Sequence, residues 1–241
     1  MMHFSIKLAD LTIFIHTISP RTYCCCLNYL SNDNTPDFHI YIDEHDVQME
    51  YDRNGFNTSR VYSTYLETMA ASRKIVEKAL DFDIIMMHGA VISTNNGSFL
   101  FSAPSGTGKT THIKKWISNI ADSYVVNGDK PLIKICNKRV IAYGTPWCGK
   151  EQMGRNTKAI IKSIVFMERA ENNLIEQISF AEALPLLLQQ TYRPNDEEKM
   201  RKTLLLIQRI NDNVSFWRIK CNNFKDDCFE VAYNALVRNQ K

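Results

Sequence analysis

An α/β fold is what this sequence predicts, and three observations predict it. From residue 84 onward, short β-branched and aromatic runs alternate with segments whose apolar residues recur at helical spacing. A small-residue loop, Ala103-Pro104-Ser105-Gly106-Thr107-Gly108, joins one such strand to one such helix. Upstream, residues 1–60 read mostly as short strands and turns. The expected organisation is a small β-rich N-terminal region over residues 1–60 followed by an α/β domain over 61–241.

Composition bounds the rest. At 241 residues the chain is long enough for one large domain, or a domain with an appendage. A hydrophobic fraction of 44% with 23% charged residues suits a globular core and excludes a mainly disordered chain. The net charge of +3, from 29 basic and 26 acidic residues, is too near balance to argue for a nucleic-acid partner. No apolar run is long enough to predict a membrane-spanning helix, and residues 11–18 read as a strand. The 7 cysteines are odd in number and form no C-x-x-C pair. Reduced thiols and a cytoplasmic location are the expectation.

In order along the chain, strands are expected at 5–8, 11–18, 23–29 and 38–42, with a further one at 47–51. Tyr65, Met69, Ile75, Val76, Ala79 and Leu80 place a helix over 61–80. Residues 84–87 and then 90–93 read together as a strand, followed by a return strand at 98–102 across the turn Asn95-Asn96-Gly97. A helix from Lys109 should bury Ile113, Trp116, Ile117 and Ile120. A strand at 124–127 precedes Asp129, and Asn137-Lys138 turns a hairpin between 132–136 and 139–143. Residues 159–167 form a long apolar strand, with 174–178 as its expected partner. Ser179 and Glu182 make a capping box, and Pro185 should kink or delay the helix behind it. Asn195 or Asp196 opens another helix, 215–220 is a last strand, and a final helix carries Phe229, Ala232, Tyr233 and Leu236 on one face.

The most informative segment is Ala103 through Thr110, which has the spacing G-x-x-x-x-G-K-[ST] with Ala at the first position. Glycines let consecutive backbone N–H groups turn into one concavity that suits phosphate oxygens. The helix behind them aims its N-terminus at the same point. Ser105, Gly106, Thr107, Gly108, Lys109, Thr110 and Thr111 are therefore the candidate ATP-binding residues. Lys109 supplies the mobile cation for the β- and γ-phosphates, and the Thr110 hydroxyl is a ligand for Mg²⁺. Twenty residues after Lys109, Asp129 ends a neighbouring strand, placed to hold Mg²⁺ or to take a proton from an attacking hydroxyl.

With these residues in place, the region from His88 to Pro194 resembles the HPr kinase family and the wider group with a phosphoenolpyruvate carboxykinase type of P-loop. His88-Gly89-Ala90-Val91, a hairpin and the loop through Lys109-Thr110 are similar to that family's approach to its P-loop. Asn127-Gly128-Asp129 resembles its strand ending in aspartates, although Lys130 stands where the family usually has a second acid. The chain is too short for a carboxykinase and looks more like the short HPr-kinase-related proteins. The resemblance implies a mixed-sheet P-loop kinase core, ATP and Mg²⁺ as cofactors, and Asp129 as base or metal ligand.

It also implies a substrate-facing loop where Gly144-Thr145-Pro146-Trp147-Cys148-Gly149-Lys150 stands. Lys150 and Arg155 become candidates to clamp phosphate or an acidic substrate group, with Arg193 a further one. His88 is a candidate for charge or proton handling near the γ-phosphate. The expected reaction is phosphoryl transfer to a hydroxyl on a protein, peptide or small metabolite; a nucleotide-binding regulator or hydrolase is the alternative. Expected partners are thus a nucleotide and that acceptor, with no nucleic acid and no membrane, and with a homo-oligomer left open.

Overall fold

The structure, a computed structural model, describes residues 1–54, 63–222 and 227–238. The chain divides into two units, Met1–Phe82 and Asp83–Lys241.

In the first unit, β1 (Met2–Leu8) and β2 (Leu11–Thr17) form an antiparallel hairpin. Its two turn residues, Ala9 and Asp10, have φ of 55° and 64°, the primed-turn conformation that matches strand twist. β3 (Leu30–Ser31) and β4 (Phe38–Tyr41) complete the order β3-β1-β2-β4. Alternation buries Phe4, Ile6, Leu8, Ile13, Ile15 and Ile40. The helix α3 (Ser63–Ala79) lies against β4 and buries Leu66, Ala70, Ala71, Ile75 and Val76.

Three expectations change in this unit. Residues 23–29 are not a strand, because α1 (Pro20–Cys25) begins there. Pro20 sits in its first turn, where no N–H is missed. The chain entering it is held from a distance: buried Glu67 accepts from Ile18 N at 2.5 Å, from Ser19 N at 3.1 Å and from the Ser19 hydroxyl. Residues 47–51 are likewise helical, inside α2 (Glu44–Asn54). Asp43 and Asp46 cap it reciprocally, each carboxylate accepting the other's backbone N–H at 2.9 and 3.0 Å. The boundary expected after residue 60 falls instead at Phe82, because α3 packs with α1, α2 and β4. Val61 and Tyr62, the expected start of that helix, lie outside the described residues.

The second unit is mixed α/β. Its strands are β5 (Ile84–Met86), β6 (Ala90–Thr94), β7 (Gly97–Ser102), β8 (Tyr124–Asn127), β9 (Leu132–Cys136), β10 (Arg139–Tyr143), β11 (Lys158–Arg169), β12 (Leu174–Ile178) and β13 (Ser215–Cys221). They pair in the order β5-β9-β10-β11-β7-β6-β8, with β13 also on β11 and β12 on β13. β7 and β11 run parallel, with Phe166 opposite Ser102, so both point their C-terminal ends at the loop that follows β7. The strand 174–178 does not pair with β11 as expected: β13 lies between, parallel to β11 and antiparallel to β12.

The helices are α4 (Lys109–Asn119), α5 (Phe180–Gln190), α6 (Glu197–Asn211) and α7 (Asp227–Tyr233), the last running on into a wider turn at Asn234–Arg238. The face of α4 is rotated from the expected one: Lys109, His112, Ile113 and Trp116 are buried, whereas Ile117 is 39% exposed. Ser179 and Glu182 form the expected capping box on α5, which starts on time and carries Pro185 inside it. Asp196, not Asn195, caps α6 through Lys199 N. A core cluster joins Phe99 and Phe101 of β7, Trp116 of α4 and Ala232 and Leu236 of the C-terminal helix. Cys221 and Cys228 are joined as a disulfide, against the expectation that all seven cysteines are thiols. The odd count could not show that two of them meet across a strand end and a helix start. Among the described residues no helix is long and apolar enough to cross a membrane.

Glu67 shows how much the first unit rests on one carboxylate. Glu67→Ala should leave the Ile18 and Ser19 amides without their acceptor and cost ~1–3 kcal/mol. A lowered urea midpoint checks this; an unchanged midpoint would mean that water replaces the carboxylate.

Candidate functional site

The loop between β7 and α4 is built on a turn in which Thr107 donates through both its N–H and its hydroxyl to Pro104 O, at 3.3 and 2.9 Å. Gly106 and Gly108 have φ of 82° and 109°, a region that side chains resist. Gly108 is the N-cap of α4, and no side chain caps that helix. Its leading N–H groups thus open on the loop together with the positive end of the helix dipole.

Lys109, at 8% exposure, folds inward. Its ammonium donates to His88 Nε2 at 3.0 Å and to Ala103 O at 3.4 Å. Burial pushes the Lys109 amine below its usual value, and Lys130 adds to this while Asp129 opposes it. His88 is held on its other side, where Nδ1 lies 2.9 Å from Gln190 Oε1 and the backbone N donates to Gln190 O at 2.7 Å. Asp129 Oδ1 is 3.3 Å from His88 Nε2. That nitrogen has one role at a time: it accepts from Lys109 when the ring is neutral, and donates to Asp129 when the ring is charged.

Asp129 takes its place from its neighbours. Asn127, fully buried at the end of β8, accepts the N–H groups of Asp129 and Lys130 on Oδ1, both at 2.8 Å. Its Nδ2 donates to Thr145 O and Oγ1 at 3.2 and 2.9 Å. Asp129 O in turn accepts from Gly89 N at 2.8 Å. Burial alone would raise the Asp129 carboxyl; hydrogen bonds from His88 and Lys130 and the Lys130 charge outweigh it and hold the group well below the carboxylate range. Lys130 Nζ lies 2.5 Å from Asp129 Oδ2.

The loop from 144 to 156 lies directly on this turn. A Cβ on Gly128 would meet Met153 O at 2.8 Å and Cys148 O at 2.9 Å, so only glycine fits beneath it. Gly149 approaches Asp129 closely: a Cβ there would sit 3.1 Å from the Asp129 Cβ. Lys150 is therefore next to a residue in contact with Asp129, and is exposed. Arg155 is elsewhere, with its guanidinium 5.2 Å from the ring of Tyr124 at the far end of β8. Arg193 is exposed just beyond the Met87–Thr191 bridge. Ser105, Thr110 and Thr111 are exposed on the loop and the first turn of α4. In the same loop Trp147 Nε1 is buried with no hydrogen-bond partner among the described residues.

Sequence reasoning missed three residues here. Arg169, at the C-terminal end of β11, donates to Gly106 O in the loop; a charged residue ending the strand beside the loop strand is the signal that could have found it. Gln190, which orients His88, sits at the end of α5 and carries no motif. Lys130 was noted as a missing acid, but not as a partner of Asp129.

No protein-family model matches the chain. No curated protein matches it either. Among solved structures it is similar to the Hpr(Ser) kinase/phosphatase from Coxiella burnetii, at 10% identity and a TM-score of 0.40, over 65% of this chain and 99% of that one.

The depressed Asp129 pKa makes a pH prediction. Its ionisation stabilises the fold fully above the unfolded carboxyl value near ~3.9, and the gain is lost as pH falls toward the lower folded value. Wild type should exceed Asp129→Asn in urea midpoint at neutral pH, and the gap should shrink below pH ~4. A gap independent of pH would show that the carboxylate charge contributes nothing to the fold.

Proposed function

We propose that the chain is an ATP-dependent kinase that transfers the γ-phosphate to a hydroxyl acceptor, as its resemblance to the HPr kinase family implies. One observation carries the reading. His88 Nε2 comes within hydrogen-bond reach of both Lys109 and Asp129, beside a glycine loop and a helix N-terminus that no side chain caps.

In this reading the backbone of Ser105 to Thr111 cradles the phosphates, and Lys109 turns from His88 to meet their charge. Thr110 and Asp129 offer hard oxygen donors, a hydroxyl and a held carboxylate, which fit Mg²⁺. When bound, that ion neutralises charge shared by the β- and γ-phosphates. A general base works best with a pKa near the working pH; the depressed carboxyl of Asp129 therefore favours the metal-ligand role over the base role. His88, released from Lys109, keeps Nε2 beside Asp129 as a site for the acceptor's proton. Lys150 and Arg169 are the cations best placed to meet the substrate's anionic groups. Arg155 would first have to leave Tyr124, and Arg193 remains a candidate for the acceptor side. A seryl side chain, a peptide or a small hydroxy metabolite each presents the required alcohol, and a cytoplasmic location is the one in keeping with ATP as donor.

Calorimetry with ATP and Mg²⁺, paired with single-turnover transfer to a panel of hydroxyl acceptors, tests this. Lys109→Ala should bind ATP far more weakly. Asp129→Asn should lose metal-dependent nucleotide affinity together with transfer if it is a ligand. If it is the base, transfer alone should fall, by ~10²–10⁴-fold. Equal ATP affinity in wild type and Lys109→Ala would end the kinase reading, and ATP binding without transfer to any acceptor would favour a regulator or hydrolase.

A further inference from the structure

Away from the phosphate loop, three chemically soft or borderline donors converge in the core. The ligand atoms of His112, Cys221 and Cys228 all lie within 4.8 Å of one another, and all three residues are buried. They come from three elements: the second turn of α4, the end of β13 and the start of α7. The two cysteines have Cα atoms 5.6 Å apart, a spacing set by the backbone. Sequence reading could not have found the group, since 109 residues separate His112 from Cys221 and the cysteines follow no zinc-ribbon spacing.

We propose that, once the Cys221–Cys228 disulfide is reduced, these three side chains bind a thiophilic closed-shell cation of the zinc type. Two thiolates and one imidazole are the donor set such an ion prefers. Bond lengths of about 2.3 Å to sulfur and 2.0–2.1 Å to nitrogen put tetrahedral ligand atoms roughly 3.5–3.8 Å apart. The imidazole needs to approach the sulfurs by about an ångström at most from the present spread, and the two sulfurs, once no longer bonded to each other, need to part to the same ligand spacing.

The chemistry balances. Two equivalents of a thiol reduce the disulfide, becoming a disulfide themselves and leaving Cys221 and Cys228 as thiols. Zinc then displaces one proton from each, and His112 gives a lone pair. A fourth position stays open. The oxidised and metal-bound forms exclude each other, because sulfurs bonded together are not thiolates.

One rearrangement must accompany binding. The Trp116 indole N–H now donates to His112 Nε2 at 2.9 Å. A cation at Nε2 displaces that donor, and one at Nδ1 moves the ring proton to Nε2, which faces the indole N–H. Either way Trp116 loses the bond, at a cost well below what a structural zinc site contributes. Zinc would then clamp the phosphate-loop helix to the C-terminal strand and helix.

The test uses the full chain, reduced anaerobically with a phosphine, which becomes its oxide by taking oxygen from water. The reduced protein is given zinc, freed of excess by gel filtration and assayed for metal by mass spectrometry. Equimolar zinc is expected. Cobalt in its place should give a thiolate charge-transfer band and the strong visible bands of a tetrahedral ion, with a change in near-ultraviolet signal from Trp116. Cys221→Ser and His112→Gln should lose the retained metal, while Cys24→Ser keeps it. Should a core variant fail to fold, the cobalt spectrum of the reduced wild type decides. No retained zinc in the reduced wild type, a cobalt spectrum without thiolate bands, or equal retention in Cys221→Ser would overturn the proposal.

Discussion

The buried amide of Asn127 is the constraint on which the candidate site depends. Its four polar contacts use both sides of the amide: Oδ1 receives two backbone N–H groups of the turn, and Nδ2 reaches the carbonyl and hydroxyl of Thr145. Thr145 closes the circuit by donating to Lys130 O at 2.8 Å and accepting from Trp147 N at 3.2 Å. A buried amide left half satisfied would be costly, whereas a fully bonded one fixes a single arrangement. It thereby sets two things at once, the position of Asp129 and the seat of the loop from 144 to 156. The close approach of Gly128 to that loop follows from the same circuit. An aliphatic residue at this strand end could hold the strand in the core, but could not hold the turn.

A second constraint comes from beneath the glycine loop between β7 and α4. Trp116, wholly buried, contacts Phe99 and Phe101 at centroid distances of 5.4 Å, and also Phe229 and Tyr233 of the C-terminal helix. Aromatic side chains of this size dominate the burial energy of a core. The helix that presents its N-terminus to the loop is thus braced on its sheet side and on its outer side by the same indole. Its rotation about its own axis, and with it the direction of Lys109, is set by which residues fit this cluster.

That rotation explains part of what the sequence made legible and what it did not. Spacing pointed to a face on α4 through Ile113, Trp116, Ile117 and Ile120, and of these Ile117 is 39% exposed. Counting Lys109 and His112 as polar concealed that both are buried, one for the site and one against Trp116. The hairpin turns at Asn95-Asn96-Gly97 and Asn137-Lys138 were readable because few residues accept positive φ, which Gly97, Asn137 and Lys138 adopt. The capping box at Ser179 was readable because it is local. In contrast, α1 owes its start to Glu67, almost fifty residues away, and no local pattern at residues 23–29 announces that. The partner of β12 was missed for the same reason: β13 enters between two strands that are adjacent in sequence. At the candidate site, residues inside motifs were found, and those that act by reaching across the fold, Gln190, Lys130 and Arg169, were not.

Electrostatically the candidate site is lopsided. The carboxylate of Asp129 is well provided for, with Lys130 at 2.5 Å and His88 at 3.3 Å. The ammonium of Lys109 is held less directly: it donates to the Ala103 carbonyl and, when His88 Nε2 is not turned to Asp129, to that nitrogen, while burial weighs against its charge and the nearby Asp129 favours it. A buried cation with neutral partners is poorly compensated for the water it has given up. Folding tolerates that cost because the core beneath the loop is large.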